Sequence, residues 1–182
     1  MNTTDEKIQT ALLTLMKERR IEDVTMIAVA NRSQVNRTTI YRHYNDKYAI
    51  LQAIEENVLQ NLEIKAAKTQ NDILLILRSI SEKREIISIL LSENGDPRFY
   101  EYFITFLAKK GLQTIDSLPR FNCLDHRQKE LLVQYISSAL LGLVKYWLIH
   151  PEMEVDELDL FFNKLFINGI NSLTSSEGKV SN

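Results

Sequence analysis

The side chains best suited to chemistry in this sequence lie between positions 25 and 47. The residues there that could grip a nucleic acid are Arg37, Thr38, Thr39, Tyr41, Arg42, His43 and Lys47. Arginine can pair with two acceptors on a guanine edge, and threonine offers a hydroxyl and a methyl group that suit thymine. Tyrosine and histidine can each donate a hydrogen bond to a phosphate, which fixes position without reading sequence. The chemistry predicted for this segment is therefore DNA binding.

Two short helices joined by a tight turn are needed to present these side chains. Thr25 is a candidate N-cap of the first helix and Asn36 of the second, because both residue types accept hydrogen bonds from free backbone amides. The residues expected to pack inward are Ile27, Ala28, Ala30, Ile40 and Tyr44. A turn of three or four residues sets two such helices at a steep angle and lets the second enter the major groove.

The order of residues across 25–51 carries a family pattern. Its elements are Thr25, the apolar run 27–30, Val35 in the turn, the run 39–44, Lys47 and the pair Ile50 and Leu51. In these features the segment resembles the DNA-binding domain of TetR-family transcriptional regulators. The resemblance implies phosphate contacts by Thr25, Tyr41, His43 and Lys47, and base-edge contacts by Arg37, Thr38 and Arg42.

Two residues depart from the usual family pattern. Tyr44 stands where the second helix normally ends in phenylalanine, and Gln34 stands where the turn normally carries glycine. Glycine is favoured in the turn because the backbone there is left-handed, which costs a residue with a Cβ about 1 kcal/mol. We therefore expect Gln34 either to bear this strain or to alter the turn and shift the second helix slightly.

Length and composition indicate an ordinary globular protein. The 182 residues suffice for one domain or two small ones. Hydrophobic residues make up 45% and charged residues 25%, and no apolar run approaches the roughly 18 residues of a membrane span. The polar start lacks signal-peptide features, and the single Cys123 fits a reducing compartment. These features predict a cytoplasmic protein without membrane association.

Charge is unevenly distributed along the chain. The net charge is −2, but residues 1–48 hold eight Lys or Arg against six Asp or Glu, which leaves −4 for the remainder. Within 32–47 there are four basic residues and one acidic residue. A local basic patch on an acidic body suits a protein that binds DNA with one face only.

Helical periodicity runs through the whole chain and predicts an all-α fold. Besides the two short helices, the expected helices cover about 5–20, 46–66, 70–80, 83–92, 97–118, 126–149 and 155–173. We expect residues 1–48 to form an N-terminal three-helix helix-turn-helix domain. Residues 49–175 would form a C-terminal helical bundle for effector binding and dimerisation, and 176–182 a disordered tail.

The last two helices are apolar on more than one face, so a single core-facing side does not account for them. The residues expected at a dimer interface are Ser138, Gly142, Phe162, Leu165 and Gly169. TetR-like proteins generally dimerise through two such helices from each subunit, and two-fold symmetry matches a palindromic DNA site. The alternative is that both helices are buried within one subunit.

An effector pocket in the C-terminal bundle is a further implication of the resemblance. The residues expected to line it are Phe99, Phe103, Phe106, Cys123, Tyr135, Tyr146 and Trp147. An aromatic stripe at helical spacing is also what an ordinary core shows. The segment 89–110 loosely resembles the C-terminal domains of regulators related to the dihydroxyacetone kinase activator, some of which act through a protein partner.

Motifs of other functional classes are missing from the sequence. There is no GxSxG, phosphate-binding glycine loop or HExxH, and His43, His126 and His150 are dispersed, so no enzyme activity, metal or cofactor is expected. We predict a dimeric one-component transcriptional regulator, a repressor that binds a palindromic double-stranded DNA operator and responds to a small-molecule effector. The alternatives are a TetR-like coactivator that binds a protein and whose DNA binding is reduced or lost, and a small-molecule-binding protein.

Overall fold

The structure is a computed structural model that describes residues 3–68 and 73–174, with side-chain surroundings left out at 67, 68, 73 and 167–174. Within these ranges the chain forms nine α-helices and no strand, which confirms the predicted all-α class. The helices are α1 (Thr3–Met16), α2 (Met26–Ser33), α3 (Arg37–His43), α4 (Lys47–Lys68), α5 (Ile73–Glu82), α6 (Arg84–Leu90), α7 (Pro97–Ser117), α8 (His126–Ile149) and α9 (Val155–Thr174). The tail expected at 176–182 lies outside the described residues.

Contacts divide the chain into two compact units. Unit 1 comprises Met1–Asn61 and Lys83–Glu101, and unit 2 comprises Leu62–Glu82 and Tyr102–Asn182. This division does not fall near residue 48, because the first part of α4 and the whole segment 83–101 group with the N-terminal helices. The boundary at 48 stays a prediction about function.

Unit 1 is built on the apolar face of α1. Ile8, Leu12 and Leu15 are buried on that face, as the periodicity predicts, and α1 packs against α2 and α6. The helix ends at Met16, four residues before the expected end at residue 20. A separate 3-10 turn follows at Ile21–Asp23. The other buried residues of this core come from the next three helices. They are Val29 and Ala30 of α2, Ile40 of α3, and Ile50, Leu51, Ile54 and Val58 of α4.

One inward-packing residue of α2 was predicted wrongly. Ile27 is 52% exposed, whereas Val29 is fully buried and Ala30 nearly so. Position 27 lies off the buried side of this short helix, which is formed by Val29, Ala30 and Ser33.

The loop between α6 and α7 fastens the end of α1 to the approach to α2. The side-chain amide of Asn94 donates to the Met16 carbonyl at 2.9 Å, and the Asn94 carbonyl accepts from the Ile21 amide at 3.0 Å. Gly95 is required by close approach, since a Cβ there would lie 2.1 Å from the Leu90 carbonyl oxygen. The segment 83–101 therefore helps to hold the helix-turn-helix in place.

Unit 2 has its core around α8. Ile115, Phe121, Leu132 and Val133 form a buried cluster, and both α5 and α8 pack against α9. A reciprocal capping box starts α8: Asp125 Oδ1 accepts from the Gln128 amide at 2.8 Å, and Gln128 Oε1 accepts from the Asp125 amide at 2.9 Å. The helix ends at Ile149, as predicted from the proline that follows.

By length and composition alone, α8 is the one helix in the described part of the chain that could cross a membrane. Its buried side chains include Leu132, Leu140, Val144 and Trp147. The indole N–H of Trp147 donates to the Met153 carbonyl at 2.8 Å and so ties the end of α8 to the turn before α9. Its apolar composition is therefore accounted for in part by its place in the core of unit 2.

Candidate nucleic-acid interface

Both ends of α2 and the turn that follows are defined by side-chain hydrogen bonds. Thr25 Oγ1 accepts from the Ala28 amide at 3.2 Å, which confirms the predicted cap. At the other end, the Ser33 hydroxyl donates to the Ala30 carbonyl and accepts from the Val35 amide, both at 3.3 Å. Sequence reasoning missed this buried serine, because its partners are backbone groups within the turn.

The turn itself runs through a left-handed residue. Gln34 has φ 56° and ψ 29° and is the one non-glycine residue with positive φ in the described chain. Of the two outcomes expected for this position, the left-handed backbone agrees with the first, in which Gln34 itself bears the cost. Gln34 adopts the backbone conformation that glycine would take more readily.

The helix α3 is short but fixed at both ends. Asn36 Oδ1 accepts from the Thr38 amide at 2.9 Å, so the predicted second cap is confirmed. At the C-terminal end the Tyr44 amide donates to the Ile40 carbonyl at 2.9 Å. Ile40 is 1% exposed and anchors the inner side of the helix.

Four side chains of α3 are exposed to solvent, namely Arg37, Thr38, Tyr41 and Arg42. Successive residues of an α-helix are rotated by roughly 100°, so Thr38 and Arg42 point most directly away from Ile40. Arg42 turns toward solvent, and on this helix the solvent side is also the side free to enter a groove. Thr38 and Arg42 are therefore placed together as candidate base-reading residues, and Arg37, the first residue of the helix, stays a third candidate on one flank beside Tyr41.

The other flank of α3 is tied to α1. His43 Nδ1 lies 2.8 Å from Asp5 Oδ1, and the Tyr44 hydroxyl accepts from Gln9 Nε2 at 2.9 Å. Burial raises the pKa of Tyr44, which keeps its hydroxyl neutral. His43 and Thr39, on the same flank, are both half-buried. Sequence reasoning missed Asp5 and Gln9, which lie more than thirty positions from their partners.

Lys47 is held by backbone carbonyl groups. Its ammonium donates to the Val24 carbonyl at 2.8 Å and also to the Glu22 carbonyl. Asp46 caps the same end of α4, since its carboxylate accepts from the Ala49 amide at 2.8 Å. An ammonium has three N–H donors, so one remains for a phosphate beside the start of α2. Lys47 thus joins the beginnings of α2 and α4, a role that the sequence did not indicate.

These observations define a class of protein. Two capped helices meet across a left-handed turn, and the second presents arginine, threonine and tyrosine to solvent. This is the arrangement of a helix-turn-helix DNA-binding unit with α3 as its recognition helix. In the part of the chain that the structure describes, no group of three His, Cys, Asp or Glu side chains is placed to hold a metal ion.

Comparison with known families specifies the class further. Residues 8–54 match the bacterial regulatory proteins of the tetR family, and residues 67–167 match a TetR-type transcriptional regulator C-terminal region. The chain belongs to the TetR family of bacterial transcriptional regulators. The family is one of regulators and not of enzymes, in agreement with the motifs missing from the sequence.

Individual relatives are distant in sequence. An uncharacterized HTH-type transcriptional regulator, YxbF of Bacillus subtilis (strain 168), is 23% identical over 158 residues, which cover 80% of this chain but only 40% of YxbF. The chain therefore matches less than half the length of that relative.

Solved structures show the same fold. The SmeT–triclosan complex superposes with a TM-score of 0.73 at 15% identity, covering 100% of this chain and 98% of SmeT. NalD is the secondary repressor of the MexAB-OprM multidrug efflux pump in Pseudomonas aeruginosa. Its structure superposes with a TM-score of 0.68 at 17% identity, covering 92% of this chain and 95% of NalD. The dihydroxyacetone kinase operon activator DhaS superposes with a TM-score of 0.61 at 17% identity, covering 93% of this chain and 97% of DhaS.

The residues expected to line an effector pocket lie in different settings, although the rings of Phe103 and Phe106 are 6.2 Å apart between centroids. Phe99 lies in unit 1, and Phe103, Phe106 and Trp147 are buried packing residues of unit 2. The remaining three are exposed, with Tyr135 at 73%, Tyr146 at 53% and Cys123 on the loop before α8. The stripe of aromatic residues fills the core at helical spacing, and the two tyrosines lie on the solvent side of α8.

The structure instead contains a cavity of about 190 Å³ within unit 2, between α5, α7, α8 and α9. Its lining is Ile76, Leu107, Lys110, Gly111, Thr114, Ile115, Val133, Ile136, Ser137, Leu140, Asn163 and Phe166. None of the seven residues expected from the sequence is among them. Aliphatic side chains dominate this lining, so counting aromatic residues could not have located it.

The residues expected at a dimer interface are placed in two settings. Ser138, Gly142 and Leu165 are exposed. Phe162 is 4% exposed and stacks on Phe166 at 5.8 Å between ring centroids, so it packs inside unit 2 and not on its surface. Gly169 lies in α9 beyond the residues whose burial the structure describes.

Proposed function

We propose that this chain is a transcriptional repressor of the cytoplasm that binds a palindromic DNA operator as a homodimer and is released by a small-molecule effector. One observation carries the DNA-binding part: α3 is fixed at both ends and exposes Arg37, Thr38, Tyr41 and Arg42 on one side. A recognition helix that is already ordered loses little conformational freedom on binding.

Dimerisation is supported by an apolar stripe on α8. The exposed positions Leu131, Tyr135, Ser138, Gly142, Tyr146 and Ile149 recur at spacings of three or four. Leu131, Tyr135 and Ile149 are 65%, 73% and 69% exposed, and Phe161 and Leu165 on α9 are 54% and 57% exposed. Contiguous exposed apolar surface of this kind marks an interaction site.

Gly142 adds to this proposal. A Cβ at this position would meet nothing within 4 Å in the single chain, so packing within the subunit does not require glycine. The close approach of a helix from a second copy does give it a role. Two copies related by two-fold symmetry would present their recognition helices to half-sites about 34–36 Å apart.

The effector response is supported by the cavity in unit 2 and by what similar proteins are reported to do. SmeT has been solved with triclosan, and NalD is a repressor. A hundredfold change in operator affinity requires a coupling free energy of about 2.7 kcal/mol. We propose that α4, which contributes residues to both units, transmits this coupling.

The test is fluorescence anisotropy of the purified protein with the intergenic DNA that flanks its own gene. Random DNA of equal length is the control, and titrations are run at two salt concentrations. We expect binding at least a hundredfold tighter to one fragment, with two protomers per site. Equally weak binding to every fragment across a tiled set of upstream regions would contradict the proposal and favour a protein-binding coactivator.

The sign of regulation needs a separate readout. DhaS, which shares the fold, is an operon activator. Transcription from the bound promoter in a purified system should fall when the protein is added. A rise would retain DNA binding but make the protein an activator.

A further inference from the structure

The cavity of unit 2 has one charged residue in its lining. Its walls are otherwise mostly aliphatic, with Leu107, Val133 and Leu140 among them, and Ser137 and Asn163 add polar groups. The charged residue is Lys110 on α7, which is only 7% exposed. A buried ammonium beside an apolar cavity is costly unless an anion compensates it.

The protein compensates Lys110 only in part. Among the described residues, its ion-pair partner is Glu63, with Oε1 at 3.7 Å from the ammonium, which is longer than a hydrogen bond. The same oxygen lies 3.3 Å from Lys109, whose hydrogen bond is the main reason why the pKa of Glu63 is lowered. One carboxylate therefore serves two ammonium groups, so the cluster of Lys109, Lys110 and Glu63 has an excess positive charge, and Lys110 belongs to the cavity lining.

We propose that the cavity binds a small amphipathic anion, a carboxylate with an apolar body, whose charge pairs with Lys110. Regarding this ligand as the effector rests on the proposed function, whereas its binding does not. The size follows from the volume of about 190 Å³. An engineered apolar cavity of about 150 Å³ holds benzene, so this one suits an apolar body of about eight carbon atoms.

The first test compares three probes of similar length and different charge. Octanoate, 1-octanol and octylamine are titrated into the full chain at pH 7 by isothermal titration calorimetry. We expect octanoate to bind at least tenfold more tightly than the alcohol, and octylamine to bind most weakly. Equal affinity for octanoate and octanol, or no measurable binding of octanoate, would overturn the proposal.

Variants assign the effect to one residue. Lys110→Met removes the charge but keeps the apolar length, and should lower octanoate affinity at least tenfold with octanol unchanged. The matched control is Lys109→Met, which removes the neighbouring exposed lysine bound to the same carboxylate and should lower octanoate affinity much less than Lys110→Met does, because Lys110 itself remains. Equal losses in the two variants would show a general charge effect and overturn the assignment to Lys110.

A further variant, Glu63→Gln, tests the charge excess without changing a buried residue. Glu63→Gln changes a half-exposed side chain and removes the competing carboxylate, so octanoate affinity should rise at least threefold. An unchanged or lower affinity would contradict the proposed charge excess. Circular dichroism confirms that each variant is folded.

The ligand proposal and the proposed function can fail separately. Specific DNA binding by a protein that does not bind octanoate overturns the ligand class alone. Tight octanoate binding that depends on Lys110, without specific DNA binding, supports the ligand class and contradicts the repressor. Octanoate that lowers operator affinity in the wild type, but not in Lys110→Met, supports both.

Discussion

At the residue scale, Arg37 and Lys47 have similar charges in different settings. Arg37 is exposed on α3, whereas the Lys47 ammonium is bound to the Val24 carbonyl. We expect Arg37→Ala to cost about 1–3 kcal/mol of operator affinity and to relax preference at one base pair. Lys47→Ala should weaken binding to all sequences alike. It should also reduce the steepness with which the logarithm of the binding constant falls with the logarithm of salt concentration, by about one.

Anisotropy titrations with operator and random DNA at several salt concentrations measure both effects. Arg19→Ala, which removes an exposed arginine from unit 1 outside α3, is the control for net charge and should preserve operator preference. If Arg37→Ala and Lys47→Ala weaken operator and random DNA in the same proportion, the division between base reading and phosphate contact is wrong.

Glu55 gives unit 1 a predicted dependence on pH. The side chain is 5% exposed, and its Oε1 has no hydrogen-bond partner in the described structure. Burial, with a smaller effect of Asp96, raises the pKa of Glu55 from 4.5 to about 7. Between these values the folded chain holds a proton that the unfolded chain has released. The free energy of unfolding therefore falls as the pH rises through this window and stays lowered above it.

We predict that Glu55→Gln stabilises the protein by roughly 2–3 kcal/mol at pH 8 and by much less at pH 5. Urea unfolding at the two pH values measures the difference. Glu56→Gln is the control, because that neighbouring side chain is exposed. A gain that is equal at both pH values would rule out ionisation of Glu55 as the cause.

At the element scale, the turn between α2 and α3 carries strain at one residue. Gln34 has φ 56°, so Gln34→Gly should stabilise unit 1 by up to about 1 kcal/mol. Gln34→Ala keeps the Cβ and should bring no such gain. Thermal unfolding compares the three proteins, and a glycine variant no more stable than the alanine variant would show that the turn is not strained.

The loop after α6 offers a second comparison, between two glycines. Gly95→Ala places a Cβ 2.1 Å from the Leu90 carbonyl oxygen, and we expect a loss of about 1–3 kcal/mol in the free energy of unfolding. Gly142→Ala adds a methyl group where nothing lies within 4 Å in the single chain and favours the helix, so stability should not fall at a concentration where the protein is monomeric. Urea unfolding of both variants at a fixed protein concentration decides; equal losses would contradict the close approach at Gly95.

At the scale of the whole molecule, the apolar stripe of α8 predicts self-association. Tyr135→Glu places a charge on this stripe and should convert the dimer to a monomer and weaken operator binding at least tenfold. Tyr102→Glu is the matched control, because Tyr102 is 51% exposed and belongs to α7, not to the α8 stripe. Sedimentation velocity measures the oligomeric state. A dimer that survives Tyr135→Glu and dissociates in Tyr102→Glu would place the interface elsewhere.

What the sequence determined by itself is mainly local. The caps Thr25 and Asn36 and the end of α8 at Ile149 were predicted, and the left-handed backbone at Gln34 was one of two outcomes expected there. Each depends on hydrogen bonds or steric limits among residues within four positions of one another, so the residue types in that window suffice. The family pattern of 25–51 rests on the same local order.

Only the tertiary structure decided which distant groups meet. Helical periodicity does not predict three of these contacts. They are the pairing of His43 with Asp5, the binding of Lys47 to the carbonyl groups of 22 and 24, and the grouping of 83–101 with the N-terminal helices. The sequence showed that aromatic residues follow helical spacing, but not that they fill the core while aliphatic side chains and Lys110 enclose the cavity. The physical reason is that the rotation of each helix about its axis is set by all of its neighbours together, which no single helix encodes.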